Sequence, residues 1–293
     1  MKKFGAQSMY APLKKVLMKE PQKFQTNINL KKWNYEISLD EDIMNRNYKD
    51  FINIIKKSGI EILNLESQNN EDEMYDSIFT HDPSLVINEG AIILNMAKKL
   101  RKNEISDHIF FYNSINVPII GKIIDEGTVE GGDCLWLNEK KLLVGESART
   151  NISGIKQLSE ILKFYGIEVI SAKIPNLENS ESCFHLMSLI SIIDKDLAIG
   201  CTSLLSDKIK QIFKDNKIKI LSIPEDEYFK SKTLAVNILA TSPRNLILME
   251  EYSKTIDLLI NNNCKINLFS GKELCIKMEG GPTCLTRPIL RVN

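Results

Sequence analysis

The sequence predicts an α/β fold in which a strand-strand-helix-strand unit is repeated about five times and closes into a ring. Three observations support this prediction. Short apolar strands recur about every 50 residues, a stretch with the apolar spacing of a helix precedes each of them, and two short strands with a hairpin pattern precede each helix. Composition is even from end to end, and the apolar share of 43% is sufficient for a substantial core. We therefore predict one domain over residues 1–293.

The third strand of each unit is a run of Ile, Val and Leu that follows a helical pattern. The clearest helical pattern ends just before Gly166, a natural helix stop, and begins after Thr150 or Asn151, either of which can cap a helix. Its apolar positions are Ile152, Ile155, Leu158, Ile161, Leu162 and Tyr165. The five recurring strands lie at residues 59–65, 117–120, 166–170, 217–221 and 264–268.

Four predicted hairpins supply the first two strands of the unit. They cover residues 84–87 with 91–94, 133–137 with 141–145, 186–193 with 197–200, and 234–240 with 246–249. The first strand of the chain (13–19) and the last (285–292) complete a fifth unit. The alternative is an open α/β sheet, but hairpins fit a wholly parallel sheet badly. A ring, in contrast, covers the edges of each unit with its neighbours.

Composition and charge exclude several kinds of partner. Lys plus Arg equals Asp plus Glu, at 38 each, so no net field draws the chain to nucleic acid or to an anionic membrane. The longest apolar runs, at 186–193 and 234–240, are far too short to span a bilayer. No apolar segment of a signal peptide follows the basic start. We expect a cytoplasmic protein with neither a nucleic-acid nor a membrane partner.

The cysteines indicate neither a disulfide framework nor a metal site. Six cysteines show no C-x-x-C spacing, and the chain has only three histidines. The cysteines are Cys134, Cys183, Cys201, Cys264, Cys275 and Cys284. We expect no metal and no cofactor.

One of these cysteines lies in an unusual setting. The turn Gly280-Gly281-Pro282-Thr283 leads directly to Cys284, and its two glycines let a ligand approach the main chain closely. From this stretch alone, the thiol could be a nucleophile, a metal ligand or part of the core.

Four further polar residues are not explained by apolar periodicity. Glu130 precedes two glycines at a strand start, although a solvated acidic turn is the simpler interpretation of that stretch alone. His185 leads an apolar strand, where a hydrogen-bonded core histidine is more common than a catalyst. Asp76 and Asp82 lie just outside a strand, and their even spacing would direct both into one cleft.

The basic residues near these motifs carry weaker signals. Arg101 and Arg149 lie in loops next to helices, where an arginine is usually solvated. We expect His81 to be a surface or rim residue, because it alternates out of the two-aspartate set, and His108 to be inert in a polar helix.

Equivalent strand starts of a ring converge on its axis, so these residues could share one pocket. With these motifs the chain resembles the guanidine-modifying superfamily built on the pentein fold, a five-bladed α/β propeller of pseudo-fivefold symmetry. The most similar branch is that of the dimethylarginine dimethylaminohydrolases, and the resemblance covers nearly the whole chain. The specific motifs are Phe79-Thr80-His81-Asp82-Pro83, Glu130-Gly131-Gly132-Asp133, Ser147-Ala148-Arg149-Thr150-Asn151, His185-Leu186 and Gly280-Gly281-Pro282-Thr283-Cys284-Leu285.

The resemblance implies three catalytic positions. Cys284 falls at the position of the nucleophile, His185 at that of the general acid-base, and Glu130 at that of the carboxylate that binds the guanidinium.

It also implies five positions that bind substrate. Asp82 matches the carboxylate of a Phe-x-x-Asp motif, with Asp76 as a second position before it, and Arg101 and Arg149 match arginines that receive the α-carboxylate. Met278 would line the amino-acid end of the site through its backbone. The family also has a mobile lid, here expected within residues 22–30.

The implied activity is cysteine-dependent hydrolysis of Nω-methylated arginine through a covalent thiouronium intermediate. The products would be citrulline and methylamine or dimethylamine, and the partner is a small guanidino amino acid; a homodimer is left open. Arginine deiminases and amidinotransferases usually carry an acid where this chain has Met187, which favours the dimethylargininase branch. His81 departs from that branch, which often has an acid there, and this difference bears on the preferred guanidine rather than on the reaction class.

Three alternatives remain at this point. The first is an arginine deiminase, another guanidino hydrolase or an amidinotransferase. The second is a non-catalytic propeller, which would have lost the pocket residues that are present here. The third is a thiol redox protein with Cys275 as its resolving cysteine.

Overall fold

The computed structural model describes residues 2–24, 29–35, 39–68, 74–175 and 184–292. Within these ranges the strands form five sheets of three strands each. The strands are β1 (Leu13–Met18), β2 (Glu61–Asn64), β3 (Ser84–Ile87), β4 (Gly90–Ile93), β5 (Ile119–Lys122), β6 (Cys134–Asn138), β7 (Lys141–Glu146), β8 (Glu168–Lys173), β9 (Ile190–Asp194), β10 (Leu197–Gly200), β11 (Lys219–Ser222), β12 (Leu239–Ser242), β13 (Asn245–Met249), β14 (Lys265–Phe269) and β15 (Arg287–Arg291). The α-helices are α1 (Glu41–Lys57), α2 (Glu104–Ser114), α3 (Ile152–Lys163), α4 (Asp207–Asp215), α5 (Glu225–Lys230) and α6 (Ser253–Ile260).

All five sheets have the same internal order. In the sheet β6-β7-β8, the central strand β7 pairs antiparallel with its hairpin partner β6 and parallel with β8, the strand that follows α3. The sheets β3-β4-β5, β9-β10-β11 and β12-β13-β14 repeat this pattern. The predicted strand-strand-helix-strand unit is therefore confirmed.

The first and last strands of the chain belong to one sheet, as predicted. Strand β15 pairs antiparallel with β1, with Arg287 opposite Leu17, and β1 pairs parallel with β2. This sheet thus joins the two ends of the chain and completes the fifth unit. The five sheets fit repeated units, and closure of these units into a propeller stays a prediction.

Three of the described α-helices begin at a polar side chain that caps the first turn, namely Asp40 for α1, Asn151 for α3 and Ser206 for α4. In α3, Asn151 accepts a hydrogen bond from the Gly154 N–H at 2.8 Å, so the cap is Asn151 rather than Thr150. Ile155, Leu158 and Leu162 then recur at helical spacing and are buried. No helix in the described part of the chain is both long enough and apolar enough to cross a membrane.

Two strands begin later than the sequence predicts, and the difference matters for the site. Residues 186–188 and 234–236 form one-turn helices, so β9 starts at Ile190 and β12 at Leu239. His185 and Ser188 cap the first of these turns, since the His185 N–H donates to the Ser188 hydroxyl at 3.1 Å. Short apolar runs do not distinguish a buried turn from a strand.

We expected His81 to be a surface or rim residue, and the surface position is wrong. The helix that carries His108 is not simply polar. Both side chains are buried, at 4% and 0% exposure. His81 donates its Nδ1–H to the Thr286 carbonyl at 2.8 Å, and His108 Nδ1 lies 3.1 Å from the Ser84 hydroxyl. Burial, assisted by the charge of Arg287, lowers the pKa of each histidine to about 3.

These buried histidines predict a loss of stability in mild acid. The unfolded chain binds protons at an imidazole pKa of about 6.5, well above the folded value, so stability falls as the pH drops from about 6.5 towards about 3. Between about pH 7 and pH 5, we expect His108 to account for a loss of roughly 2 kcal/mol. Urea unfolding of wild type and His108→Gln at both pH values measures this, and the variant is expected to lose correspondingly less stability. An equal loss in both proteins would contradict the prediction.

Candidate active site

Each of the five units has one polar candidate residue shortly before its first strand, the strand that pairs antiparallel with the central strand of the sheet. These residues are Asp82 before β3, Glu130 before β6, His185 before β9, Asn237 before β12 and Cys284 before β15. Four of them are the candidates from the sequence, and Asn237 is new. The repeat therefore delivers one functional group from each unit.

Cys284 forms part of the wall between two cavities. The larger has a volume of ≈ 360 Å³ and is also lined by His185, Asn237 and Met187. The smaller has a volume of ≈ 30 Å³ and brings together the predicted substrate-binding residues Asp76, Asp82, Arg101, Arg149 and Met278. Glu130 is fully buried behind these walls.

The Cys284 sulfur has a specific hydrogen-bond donor. The side-chain amide N–H of Asn237 donates to Sγ at 3.1 Å, while the amide oxygen accepts the Thr283 N–H at 3.0 Å. A Cβ at Gly281 would lie 2.5 Å from the Asn237 side-chain carbon, so only glycine leaves room for this amide. An amide donor of this kind stabilises a thiolate relative to a thiol.

One feature of the sequence could have revealed Asn237. The unit that starts with residues 234–240 was the only one without a polar candidate at its strand entrance. Asn237 fills that position, directly after the one-turn helix Leu234–Val236.

Replacing Asn237 by alanine is expected to slow the reaction of Cys284 roughly tenfold to a hundredfold, since a hydrogen bond to a charged group is worth about 1.5–3 kcal/mol. Alkylation of the thiol at neutral pH is the direct measurement, followed by mass spectrometry. Asn245→Ala is the matched control, because its amide lies outside both cavities, against Asn267. Equal alkylation rates in wild type and Asn237→Ala would contradict the prediction.

His185, which lines the large cavity together with Cys284, forms a buried pair with Glu130. His185 Nε2 lies 2.9 Å from Glu130 Oε2, and the other carboxylate oxygen accepts the Ala97 N–H at 3.0 Å. Burial alone raises the pKa of Glu130, but the hydrogen bond with His185 and the charge of Arg149 outweigh burial and hold the pKa below its ordinary value. An ionised Glu130 fixes the orientation of the imidazole ring through this hydrogen bond.

Gly132 is what allows the imidazole to lie in this position. A Cβ at Gly132 would lie 2.5 Å from His185 Nδ1, which no side chain permits without movement of the ring. The Gly132 N–H also donates to Asp82 Oδ1 at 2.9 Å. One glycine thus aligns the histidine of one unit with the aspartate of another.

Asp82 and Arg101 are held together in a buried ion pair. Arg101 Nη1 donates to Asp82 Oδ2 at 2.6 Å, and the rest of the guanidinium donates to Glu104, at 2.9 and 2.8 Å, and to the Phe79 carbonyl. Burial raises the pKa of Asp82, but Arg101 and His185 outweigh it and hold this pKa far below its ordinary value. Asp82 is therefore a fixed negative charge at the cavity wall.

Asp76 lies in the one-turn helix Tyr75–Ile78 rather than along a strand, so the argument from even spacing does not apply to it. It nevertheless lines the same small cavity as Asp82. Its carboxylate accepts a hydrogen bond from the Tyr35 hydroxyl at 2.6 Å and pairs with Lys98 at 2.6 Å. Tyr35 and Lys98 had no signal in the sequence that pointed to this site.

The two remaining substrate-binding candidates also lie at the small cavity. Arg149 Nη1 lies 3.6 Å from Glu130 Oε1, and Met278 is buried. The expected lid at 22–30 includes residues 25–28, which lie outside the described residues, as does Cys183.

Comparison with known proteins identifies the family. The model for eukaryotic N,N-dimethylarginine dimethylhydrolase matches residues 15–291. The chain belongs to this family. As a dimethylargininase-family protein it is a guanidino hydrolase, an enzyme that acts on amidino C–N bonds.

Curated relatives of this family member lie at 24–27% identity. A protein of Aeropyrum pernix described as uncharacterized is 27% identical over 84% of this chain and 83% of its own length. The YkgA protein of Bacillus subtilis, also described as uncharacterized, is 25% identical over 96% of this chain and 93% of its length. An arginine deiminase of Borreliella afzelii is 27% identical over 75% of this chain, and the match spans 62% of that enzyme.

Solved structures show the same fold. A cysteine-to-serine mutant of the Pseudomonas aeruginosa dimethylargininase, complexed with citrulline, superposes with a TM-score of 0.75 at 21% identity, over 96% of this chain and 100% of that one. An amidinotransferase of Microseira wollei superposes with a TM-score of 0.77 at 15% identity, over 99% and 98%. The dimethylargininase-family chain thus has the mixed α/β fold of the penteins.

Proposed function

We propose that the chain hydrolyses Nω-methylated arginine to citrulline and methylamine or dimethylamine, with Cys284 as the nucleophile. The observation that carries this proposal is the setting of the sulfur. The Asn237 amide donates to it, and His185, bonded to Glu130, lines the same cavity. A nucleophile, an acid-base and a group that orients the acid-base are what covalent catalysis requires.

The first half of the reaction forms a bond between sulfur and carbon. A guanidinium is delocalised and positively charged, so its carbon is a poor electrophile, and carboxylates must dock its nitrogens and hold the carbon against the sulfur. The Cys284 thiolate attacks this carbon to give a tetrahedral centre. His185 donates a proton to the methylated nitrogen, the C–N bond breaks, and the amine leaves. An S-linked thiouronium remains on Cys284.

The second half releases the product by the reverse use of the same groups. His185, now neutral, accepts a proton from water, and the hydroxide attacks the thiouronium carbon. The C–S bond then breaks, the electron pair returns to sulfur as thiolate, and the hydroxyl proton is lost to solvent as the ureido carbonyl forms. One water is consumed for each citrulline formed, and no redox step occurs.

Binding of the substrate requires the side chains around the small cavity to move. Asp82 is already paired with Arg101, and Glu130 lies near Arg149. A substrate guanidinium would therefore compete with guanidinium groups of the protein for both carboxylates. In this proposal the two arginines turn to the substrate's α-carboxylate when they are displaced.

The amino-acid end of the substrate would occupy the small cavity and enlarge it. At ≈ 30 Å³ this cavity holds about one or two waters, so it opens as the substrate enters. We assign Asp76 to the amino-acid end of the ligand, with the Met278 backbone on the opposite wall.

A second candidate function is hydrolysis of unmethylated arginine. It is favoured by relatives that are described as arginine deiminases at 24–27% identity. Met187, buried in the wall of the large cavity, favours the methylated substrate, because the deiminases usually carry an acid there.

A substrate panel separates these functions. Purified protein is incubated with asymmetric dimethylarginine, monomethylarginine, arginine and agmatine, and ureido product and released amine are quantified. We expect the methylated arginines to have kcat/KM values at least about tenfold above that of arginine, since this ratio corresponds to about 1.4 kcal/mol of discrimination. A preference for arginine would support the second candidate, and no ureido product from any substrate would refute both.

A further inference from the structure

The last strand carries two buried arginines that the proposed reaction does not use. Arg287 and Arg291 lie four residues apart on β15, on the same face of the strand, and are 4% and 6% exposed. Both line a third cavity, of ≈ 20 Å³, which shares His81, Met187 and Thr283 with the larger cavity at Cys284.

These guanidinium groups have fewer partners than their burial demands. An Nη of Arg287 donates to the His81 carbonyl, and an Nη of Arg291 donates to the Ala11 carbonyl at 2.6 Å. The Nε atom of each is buried and has no hydrogen-bond partner. No carboxylate of the described residues forms an ion pair with either arginine, in contrast to Arg101.

The electrostatic setting is unfavourable as it stands. Burial, followed by the positive charge of Arg287, lowers the pKa of Arg291 to about 9. A buried, unpaired charge costs several kcal/mol, and a second charge of the same sign adds to that cost. The neutral carbonyl groups that contact the two arginines do not compensate their positive charge. An anion bound in the cavity would compensate it.

We propose that this cavity is a binding site for one small monovalent anion of the size of chloride. Two orphaned Nε–H donors would point to it, and its charge would offset the two buried cations. The volume of ≈ 20 Å³ is sufficient for about one water-sized species. Sulfate, phosphate and organic acids are too large for it.

The site lies close to the loop that carries the nucleophile. His81, whose carbonyl receives the hydrogen bond from Arg287, donates its own N–H to the Cys284 carbonyl at 3.2 Å and its Nδ1–H to Thr286. The anion would therefore stabilise the base of the active site without touching the substrate. The inference does not depend on which guanidine the enzyme hydrolyses.

Anomalous diffraction with bromide tests the site directly on the wild-type protein. Crystals soaked in bromide are expected to show an anomalous peak in the cavity, within hydrogen-bond distance of at least one Nε. A cavity that holds only water in bromide-soaked crystals would overturn the proposal.

Thermal unfolding provides an independent test in solution. At constant ionic strength, replacing gluconate by chloride is expected to raise the Tm of the full chain by about 2 °C or more. Arg291→Met is expected to lose this response. Arg244→Met is the matched control, because it removes an arginine that is 32% exposed and paired with Asp194 and Asp196, and it should keep the response. If Arg291→Met does not fold, Arg291→Lys replaces it and should need more chloride for half of the shift.

Two outcomes of the thermal experiment would contradict the anion site. One is a wild-type Tm that is the same in chloride and gluconate. The other is a chloride response in the Arg291 variant that equals that of wild type.

Discussion

Replacing Cys284 by serine is expected to reduce the formation of ureido product by about 10⁴-fold or more. The hydroxyl that replaces the thiol is protonated at neutral pH and is a much weaker nucleophile towards a guanidinium carbon than a thiolate. The Asn237 amide and the His185–Glu130 pair would remain, so substrate should still bind. Steady-state assays for citrulline measure the rate, and calorimetry with dimethylarginine measures the retained affinity.

Cys275→Ala is the control for this prediction. Burial, followed by the nearby Cys284, raises the pKa of the Cys275 thiol well above its ordinary value, so it stays protonated and unreactive. We expect this variant to keep its turnover within about threefold of wild type, with some loss of stability from the cavity it creates. Activity that survives in Cys284→Ser, or that is lost in Cys275→Ala at full folding, would contradict the role of Cys284 and favour a redox protein with two cysteines.

The repeat could be predicted from the sequence because its physical cause is local. Strands such as β8 and β14 are short apolar runs after amphipathic helices, and this periodicity follows from burial of one face of each element. The same reasoning is less reliable at the strand entrances. Before β9 and β12, apolar residues form one-turn helices. Over a single turn, the spacing of apolar residues does not distinguish a helix from a strand.

The contacts of the site could not be predicted because they join separate loops, in one unit or in two. Whether Arg101 is solvated or bonded to Asp82 depends on the distance between the loop before β3 and the loop after β4, which no local pattern records. The pairing of His185 with Glu130 has the same origin, since 55 residues separate them. Asn237 was missed for a further reason: a neutral amide carries no charge signal, and only its position in the unit distinguishes it.

Replacing His185 by glycine is expected to lower kcat for dimethylarginine by roughly 10²–10⁴-fold, the usual contribution of a general acid-base. In the first half-reaction the departing amine would have no proton donor, and in the second half-reaction the water would have no base. The two halves can be separated with a substrate whose leaving group needs no proton, such as S-methyl-L-thiocitrulline, because a thiolate leaves more readily than an amine. Attack on this substrate should then proceed while the release of citrulline stays slow.

The expected result is a covalent adduct on Cys284 that accumulates in His185→Gly and is detected by mass spectrometry of the intact protein. Wild type should hydrolyse the same adduct too quickly for it to accumulate. His108→Gln is the matched control, because this second buried histidine contacts Ser84 and lines neither cavity at Cys284, so it should leave turnover unchanged. If His185→Gly releases citrulline from S-methyl-L-thiocitrulline as fast as wild type, then the base that activates water is another group. The pair of His185 with Glu130 would then serve to orient the substrate rather than to transfer protons.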